Sequence, residues 1–258
     1  MEKKEIIAYV KKKSELSGID DSVVRDLIEI YEKKNKCDVT KLREKEVKAL
    51  MKETRAELRK YAGQFQFKTK DREKLLEKED FDSLLKTHVS TKERIEIYPE
   101  IKEIIEDLKP KSIIDLGCGI NPLAIARKEI EYYASDIHNG DLDIVRRFFE
   151  ANDIEGNVFV YDLRKFNAKD LPAADVCILF KVLESIEFKG HKLAERIISE
   201  IRAKYIIVSF STEKISGKKM NQPERKWIEK ILERKKLKYE RKDIGKEIFY
   251  IIMKDKMA

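Results

Sequence analysis

The sequence of 258 residues is poor in the residues that mark fibrous, secreted or membrane proteins. Its 9 Gly, 5 Pro and 3 Cys exclude collagen-like, mucin-like and disulfide-scaffold proteins. No apolar run approaches the ~18 residues that cross a bilayer, and residues 1–5 lack the apolar stretch of a signal peptide. Cys37, Cys118 and Cys177 form no CxxC pair, which argues against a zinc site. These absences predict a soluble, cytoplasmic protein with no bound metal and no membrane partner.

The sequence is rich in charged residues: 41% of its residues are Asp, Glu, Lys or Arg. A further 42% are hydrophobic, which is enough for a core. The net charge of +7 is matched by residues 211–258 alone, which hold 15 Lys and Arg against 8 Asp and Glu. A second basic block, residues 41–70, holds 10 against 4. Such blocks suit an enzyme that binds a polyanion. The solvated surface of a heat-adapted protein would have the same composition.

Residues 1–86 predict a small all-helical domain, because Gly and Pro are rare and apolar residues recur at helical spacing. Helices are expected over residues 21–31, 39–61 and 71–86. The break at 63–70 is aromatic and basic. Its Phe65 and Phe67 either stack on RNA or pack against the following domain.

Residues 87–258 predict alternating helices and strands. Strands are expected over 112–116, 132–136, 158–162, 175–180 and 205–210, with a closing hairpin of 238–243 and 247–253. Helices are expected over 97–108, 122–127, 142–152, 193–201 and 224–235. Repeated β-α units imply parallel strands covered by helices on both faces. The predicted fold class is therefore α/β: a Rossmann-like, mainly parallel seven-stranded sheet with a C-terminal antiparallel hairpin, preceded by the helical domain.

The strongest local feature is the string DLGCG at residues 115–119, between a buried strand and a helix. Its glycines let the backbone turn tightly beside a ligand. Asp136 and Asp162 are predicted to end the next two strands, so that with Asp115 they line the crevice where open α/β sheets bind ligands. In such a crevice Asp136 can accept both hydroxyls of a ribose, and Asp162 can reach an adenine amino group.

The glycine pattern is GxG rather than GxGxxG, because Ile120-Asn121-Pro122 follow directly. A pyrophosphate there would also meet Asp115 and Asp136 with little positive charge nearby. Both points favour S-adenosylmethionine (SAM), which contains adenosine but no phosphate, over a dinucleotide.

The longer string DLGCGINPLA, residues 115–124, resembles the ribosomal RNA guanine-N7 methyltransferases of the Arm/Rmt aminoglycoside-resistance type, which are class I SAM-dependent methyltransferases. Similar segments are HVSTKER at 88–94, FKVLESIE at 180–187 and VSFST at 208–212. Two positions depart from the family pattern, since Ile186 replaces Leu and Ser211 replaces Pro. The resemblance spans residues 86–235, and a helical N-terminal extension is also a family feature.

The resemblance implies roles for particular residues. Arg94 is expected to pair with the SAM carboxylate, Gly117 and Gly119 to pass beside the methionine part, and Asp136 with Ile137 to hold the ribose and adenine. The predicted cofactor-binding residues are His88, Arg94, Asp115, Gly117, Cys118, Gly119, Asp136, Ile137, Asp162 and Leu163. The predicted target-binding residues are Lys181, Ser211, Thr212, Lys214, Lys218 and Lys219.

The chemistry of guanine N7 needs no acid–base pair, because that atom has a lone pair and no proton to remove. Positioning of the base should dominate catalysis. The sequence has neither an NPPY-type tetrad nor a cysteine after the fourth or fifth strand, and Cys118 and Cys177 are expected to be packing residues.

The predicted function is therefore SAM-dependent methylation of guanine N7 in small-subunit (16S) ribosomal RNA, with residues 1–86 docking the RNA. A transfer RNA methyltransferase and a non-catalytic RNA- or ribosome-binding module are the alternatives. The basic C-terminal residues and the additional domain disfavour a small-molecule methyltransferase.

Overall fold

The structure, a computed structural model, describes residues 1–186, 190–213 and 224–254. The helices of the N-terminal part are α1 Lys3–Val10, α2 Asp21–Asn35, α3 Glu44–Tyr61, α4 Arg72–Glu77 and α5 Phe81–Leu85. Those that follow are α6 Val89–Arg94, α7 Tyr98–Asp107, α8 Pro122–Ile125, α9 Asn139–Ala151, α10 Leu183–Ile186, α11 Lys192–Glu200 and α12 Lys226–Arg234. The strands are β1 Ser112–Leu116, β2 Glu131–Asp136, β3 Gly156–Val160, β4 Ala174–Phe180, β5 Ala203–Ser211, β6 Lys238–Ile244 and β7 Glu247–Met253.

The seven strands form one sheet in the order β3-β2-β1-β4-β5-β7-β6. β1 to β5 are parallel, whereas β7 runs antiparallel to β5 and to β6. This arrangement confirms the predicted fold class. Because β7 runs in the opposite direction, its first residue, Glu247, pairs with Ser211 at the end of β5. The antiparallel strand therefore brings its N-terminus to the edge where the parallel strands end.

Apolar side chains cover both faces of the sheet. Ile113, Val176 and Ile178 belong to the cluster on one face, and Ile114 and Cys177 belong to the cluster on the other. Burial on both faces is what near-continuous apolar runs in parallel strands produce. Cys177 is therefore a core residue, as the sequence predicts.

The first three helices have a hydrophobic core of their own, to which they contribute Ile6, Ile28 and Leu50. Leu84 and Leu85 of α5 belong instead to a core cluster of the sheet. α2 begins where predicted because the Asp20 carboxylate accepts the N–H of Ser22 at 2.9 Å. None of the helices in the described ranges is both long and apolar enough to span a membrane.

Two predicted helices are interrupted in the structure. The helix expected over 39–61 begins only at Glu44, because the Asp38 carboxylate accepts the N–H of Thr40 and closes a short 3₁₀ turn first. The helix expected over 71–86 is divided in two, because Glu79 adopts a φ of 53° and Asp80 starts a new helix. Side chains that bond to nearby backbone groups compete with continuous helix in this way.

The third strand lies two residues earlier than predicted, because β3 covers Gly156–Val160 and not 158–162. Asp162 lies beyond it, where its carboxylate accepts the N–H of Arg164 at 3.0 Å and begins a 3₁₀ turn over Leu163–Lys165. The prediction that Asp162 ends a strand is therefore wrong, although its place beyond the carboxyl edge of the sheet is kept.

The helical part is tied to the sheet by buried polar contacts. Arg72 donates to the buried Asp141 carboxylate at 2.6 Å. The backbone N–H of Asp20 donates to the carbonyl of Ile137 at 2.9 Å. Because a buried charge that loses its partner is costly, these contacts couple the two parts energetically.

We expect Leu50→Ala in the helical core and Ile178→Ala in the sheet to lower the same unfolding transition, each by about 2–5 kcal/mol. Both side chains are 0% exposed. The single tryptophan, Trp227 on α12, reports on the sheet, whereas far-ultraviolet circular dichroism reports on every helix. Urea titrations should give coincident midpoints by both probes. A Leu50→Ala protein that shifts the dichroism curve but not the fluorescence curve would instead show two independent domains, 1–86 and 87–258.

Candidate active site

A cavity of about 740 Å³, including its open mouth, lies at the carboxyl edge of the sheet and is closed on one side by residues 61–66. We call it the main cavity. Nine of the ten predicted cofactor residues line it, namely His88, Arg94, Gly117, Cys118, Gly119, Asp136, Ile137, Asp162 and Leu163. The structure therefore brings nine of the ten predicted residues together around one cavity.

The loop after β1 needs its two glycines. Gly117 and Gly119 have φ values of 71° and 51°, which residues with a Cβ rarely adopt. A Cβ on Gly117 would lie 2.6 Å from Val182 Cγ2, and one on Gly119 would lie 2.9 Å from His88 Nε2. The loop therefore approaches the cavity more closely than it could with any other residue type at these two positions.

Asp136 holds this loop in place. Its Oδ2 accepts the N–H of Gly119 at 2.8 Å and its Oδ1 accepts the N–H of His138 at 3.0 Å. Burial raises the pKa of the Asp136 carboxyl above its usual value. Each carboxylate oxygen has a second lone pair, so Asp136 is anchored and can still accept bonds from a ligand.

Asp115 does not line the main cavity, in contrast to the prediction. It is 1% exposed, and its Oδ2 accepts bonds from Asn121 Nδ2 at 2.8 Å and from the Tyr132 hydroxyl at 2.9 Å. The side chain of Asn121 thus donates a hydrogen bond to the Asp115 carboxylate and does not cap α8. Along β1, Asp115 points to the same face of the sheet as Ile113, where Asn121 and Tyr132 donate to its carboxylate.

Asp162 is clamped by Arg164. The Arg164 Nε donates to Oδ1 at 2.9 Å, and its Nη2 donates to Oδ2 at 2.6 Å. The guanidinium also lies over the ring of Tyr61, 4.4 Å from its centroid. The helical part therefore braces the pair that forms this wall of the main cavity.

Arg94 is 2% exposed and approaches the cavity from α6. Its Nε donates to both oxygens of Glu247, at 2.9 and 3.1 Å. Its Nη2 is buried and has no hydrogen-bond partner among the described residues. An unsatisfied donor of this kind in a cavity wall is suited to an anionic group of a ligand.

Glu247 is a site residue that the sequence analysis missed. It is 2% exposed and also accepts bonds from Lys181 Nζ at 2.8 Å and from the Ser209 hydroxyl at 2.9 Å. Burial alone would raise the pKa of the Glu247 carboxyl, but Arg94 and Lys181 outweigh that effect and hold the pKa below its usual range. An acidic residue at the start of an otherwise apolar strand was the one available signal.

Lys181 stands at the end of β4 with a left-handed φ of 56°. Its ammonium group contacts Glu93 at 2.7 Å as well as Glu247. The predicted target-binding Lys181 is thus a partly buried, ion-paired group and not a free surface lysine.

A second cavity adjoins the main one and shares Phe65, Ser90, Lys181 and Ser185 with it. Ser211 lines this second cavity. Thr212 lies beside it, with its hydroxyl donating to the Lys246 carbonyl at 3.0 Å. The other predicted target residues, Lys214, Lys218 and Lys219, lie outside the described residues, as does Glu187 of the 180–187 segment.

A buried polar cluster joins the main cavity to the helical part, and the sequence analysis missed its centre, Asp141. The carboxylate accepts bonds from Arg72 Nη1 at 2.6 Å and from Gln66 Nε2 at 2.7 Å. Burial would raise the pKa of the Asp141 carboxyl, but His138 and Arg72 hold it well below its usual range. Burial lowers the pKa of His88 to about 4, so that imidazole is neutral at pH 7. The cluster is therefore centred on a carboxylate with a firmly held negative charge.

The Asp115 carboxyl predicts a specific dependence of stability on pH. Burial raises its pKa from 3.8 to about 6, so its contribution is fully present below pH 3.8 and is lost as the pH rises through 6. Asparagine can still accept the bonds from Asn121 and Tyr132. We therefore expect the free energy of unfolding of Asp115→Asn to exceed that of the unchanged protein by about 2–3 kcal/mol above pH 6, and by much less near pH 4.

Urea titrations from pH 4 to pH 8 measure this difference. Asp153→Asn at an exposed position is the control, since its side chain is 79% exposed. A difference between Asp115→Asn and the unchanged protein that stays constant with pH would contradict the assignment.

Known proteins resemble this chain in sequence and in fold. A 16S rRNA (guanine(1405)-N(7))-methyltransferase of Serratia marcescens is 28% identical over 180 residues, which are 68% of this chain and 71% of that protein. One of Micromonospora rosea is 29% identical over 180 residues, 66% of this chain and 64% of that protein. The solved structure of the 16S rRNA methylase RmtB is 23% identical, covers 99% of both chains and has a TM-score of 0.77, which supports the fold.

The family comparison covers most of the chain. Residues 38–251 match the family described as ribosomal RNA methyltransferase (FmrO). The matched range includes α3, the main cavity and Glu247, so it takes in both the helical part and the sheet. The chain belongs to the FmrO family of ribosomal RNA methyltransferases.

Proposed function

We propose that this protein transfers a methyl group from SAM to N7 of a guanine in 16S ribosomal RNA, and that it does so in the cytoplasm. The names of the relatives report this reaction for those proteins, and membership of the family supports it here. The observation that carries the proposal is the main cavity, in which the glycine loop, Asp136 and the free Nη2 of Arg94 meet.

The lining of the main cavity fits SAM. Arg94 would bind the carboxylate of the methionine part through Nη2, the nitrogen that Glu247 does not bond. Asp136 would accept a hydrogen bond from one ribose hydroxyl, and Ile137 and Leu163 offer apolar surface for the adenine. Arg164 occupies both oxygens of Asp162, so that carboxylate would reach the adenine amino group only through its remaining lone pairs. When bound, SAM supplies a methyl group on a positively charged sulfur.

The second cavity offers a place for the target base. Its four shared residues make it continuous with the main cavity, so a base held there faces the cofactor site. Guanine presents O6 beside N7 on the same edge, and O6 accepts hydrogen bonds. We assign Lys181 to donate to O6 and thereby to aim N7. The carboxylates of Glu93 and Glu247, both bound to Lys181, offset the positive charge that methylation adds to the base.

The helical domain of residues 1–86 would dock the RNA. Phe67 is 39% exposed, and the ammonium groups of Lys92 and Lys68 lie 4.9 and 5.6 Å from its ring centroid. An exposed ring between two cations can stack on a base while the cations contact phosphates. Phe65 instead faces inwards and stacks on His88, with 6.0 Å between the ring centroids. The basic residues Lys214, Lys218 and Lys219 remain part of the proposed RNA contact.

Methyl transfer from radiolabelled SAM to separated 16S ribosomal RNA, intact small subunits and total transfer RNA tests the function directly. We expect label in 7-methylguanosine from the ribosomal RNA or the subunits, and a loss of tenfold or more in kcat/KM for SAM with Asp136→Ala. Label confined to transfer RNA, or to another nucleoside, would overturn the proposed target. SAM binding with no transfer to any RNA would favour a non-catalytic module.

Glu247→Gln tests whether the Glu247 carboxylate holds Arg94 and Lys181 in position. The neutral amide keeps the shape of the side chain but removes the charge that fixes two cations, and hydrogen bonds to charged groups contribute about 1.5–3 kcal/mol. We therefore expect the affinity for S-adenosylhomocysteine, measured by calorimetry, to fall about tenfold or more. Ser209→Ala, which removes a neutral donor from the same carboxylate, should change it less than threefold. Equal effects of the two variants would contradict this role.

A further inference from the structure

Gln66, in the helical part, lines the cofactor cavity and has a side-chain oxygen without a hydrogen-bond partner among the described residues. This oxygen, Oε1, is buried. A buried acceptor that has lost its water without gaining a partner destabilises the empty cavity. This cost is removed if a donor occupies the cavity.

The orientation of the Gln66 amide is determined by its surroundings. The Nε2 group donates to Asp141 Oδ2 at 2.7 Å, and Asp141 is held from its other oxygen by Arg72. A carboxylate whose pKa is held low accepts and does not donate, so the NH₂ of the amide has to face it. The carbonyl oxygen is therefore the group left to face elsewhere.

The backbone of this segment is fixed as well. Gln66 follows a 3₁₀ turn over Gly63–Phe65 and forms an antiparallel bridge with His88. The N–H of Phe67 donates to the Thr87 carbonyl at 3.0 Å. Gln66 is thus attached to the start of α6, next to the imidazole that contacts Gly119. It cannot turn away from the cavity without breaking these bonds.

The sheet order indicates which part of the cofactor Gln66 would meet. Its partner Asp141 lies in the first turn of α9, directly after β2 and Asp136. The partner of Arg94, Glu247, lies instead on β7, on the other side of β1. Gln66 is therefore on the nucleoside side of the cavity, away from the group that would bind the methionine carboxylate.

We propose that the side-chain carbonyl oxygen of Gln66 accepts a hydrogen bond from a ribose hydroxyl of the bound cofactor. This inference rests on the proposed use of SAM. It makes the helical domain a direct part of the cofactor site, in addition to its proposed role in docking RNA. Because linkage is reciprocal, any RNA contact that stabilises the position of residues 61–66 also strengthens cofactor binding.

Calorimetric titration with S-adenosylhomocysteine and its 2′-deoxy and 3′-deoxy analogues tests the contact without RNA. In the unchanged protein, removal of the bonded hydroxyl should weaken binding. In Gln66→Ala, the affinity for S-adenosylhomocysteine should fall about threefold to tenfold. We call the affinity for S-adenosylhomocysteine divided by the affinity for a deoxy analogue the deoxy ratio. In Gln66→Ala, the deoxy ratio of at least one analogue should be smaller than in the unchanged protein by a factor of three or more. The reason is that the substitution and the missing hydroxyl remove the same bond.

Gln64→Ala is the matched control. It is the same residue type two positions away, its Nε2 donates to the Lys60 carbonyl at 2.7 Å, and it does not line the main cavity. Its deoxy ratios should equal those of the unchanged protein. Gln66→Met, which keeps the volume of the side chain, replaces Gln66→Ala if that variant is unstable in a thermal melt.

Deoxy ratios in the Gln66 variant that equal those of the unchanged protein for both analogues would overturn the proposal, even if overall affinity falls. That result would mean that Gln66 acts only through Asp141. Failure of S-adenosylhomocysteine to bind the unchanged protein would instead overturn the proposed cofactor, so the two outcomes are distinguishable.

Discussion

The buried ion pair between Arg94 and Glu247 is the interaction on which the candidate site depends. Neither charge reaches solvent, and a buried charge is tolerated only when it is paired. The pair also orients Arg94, because Glu247 binds the Nε side of the guanidinium and leaves Nη2 directed elsewhere. Lys181 shares the same carboxylate. One acidic side chain thus fixes a cation assigned to the cofactor and a cation assigned to the target base.

Asp141 is a second buried carboxylate that is paired with a cation, and it lies at the boundary between the helical part and the sheet. Its charge is balanced by Arg72, and Gln66 contributes a further donor. The two carboxylates differ in what they connect, because Glu247 joins three elements around the sheet edge and Asp141 joins residues 66 and 72 to α9. The cavity between them has one wall from each part of the chain.

The sequence could predict those features that depend on residues close together in the chain. The strands and the DLGCG loop have local signals, and Asp136 follows from the rule that parallel strands end at one edge. Glu247 and Asp141 could not be predicted, since their partners lie 153 and 69 residues away. Asp115 was predicted to line the crevice because it lies at the carboxyl end of a strand, but its carboxylate bonds to Asn121 and Tyr132 and does not line the main cavity. The resemblance identified Arg94 and Lys181 without showing that one carboxylate holds both.

The reversed direction of β7 has a consequence for the order in which the molecule is completed. Glu247 follows Arg94 by 153 residues in the chain. During synthesis, the earlier residues leave the ribosome long before the carboxylate that Arg94 requires. A nascent chain therefore cannot complete the cofactor site, and premature termination before β7 leaves a buried cation without its counter-charge. The ion pair of Arg94 is therefore completed only after β7 has been translated and has paired with β5.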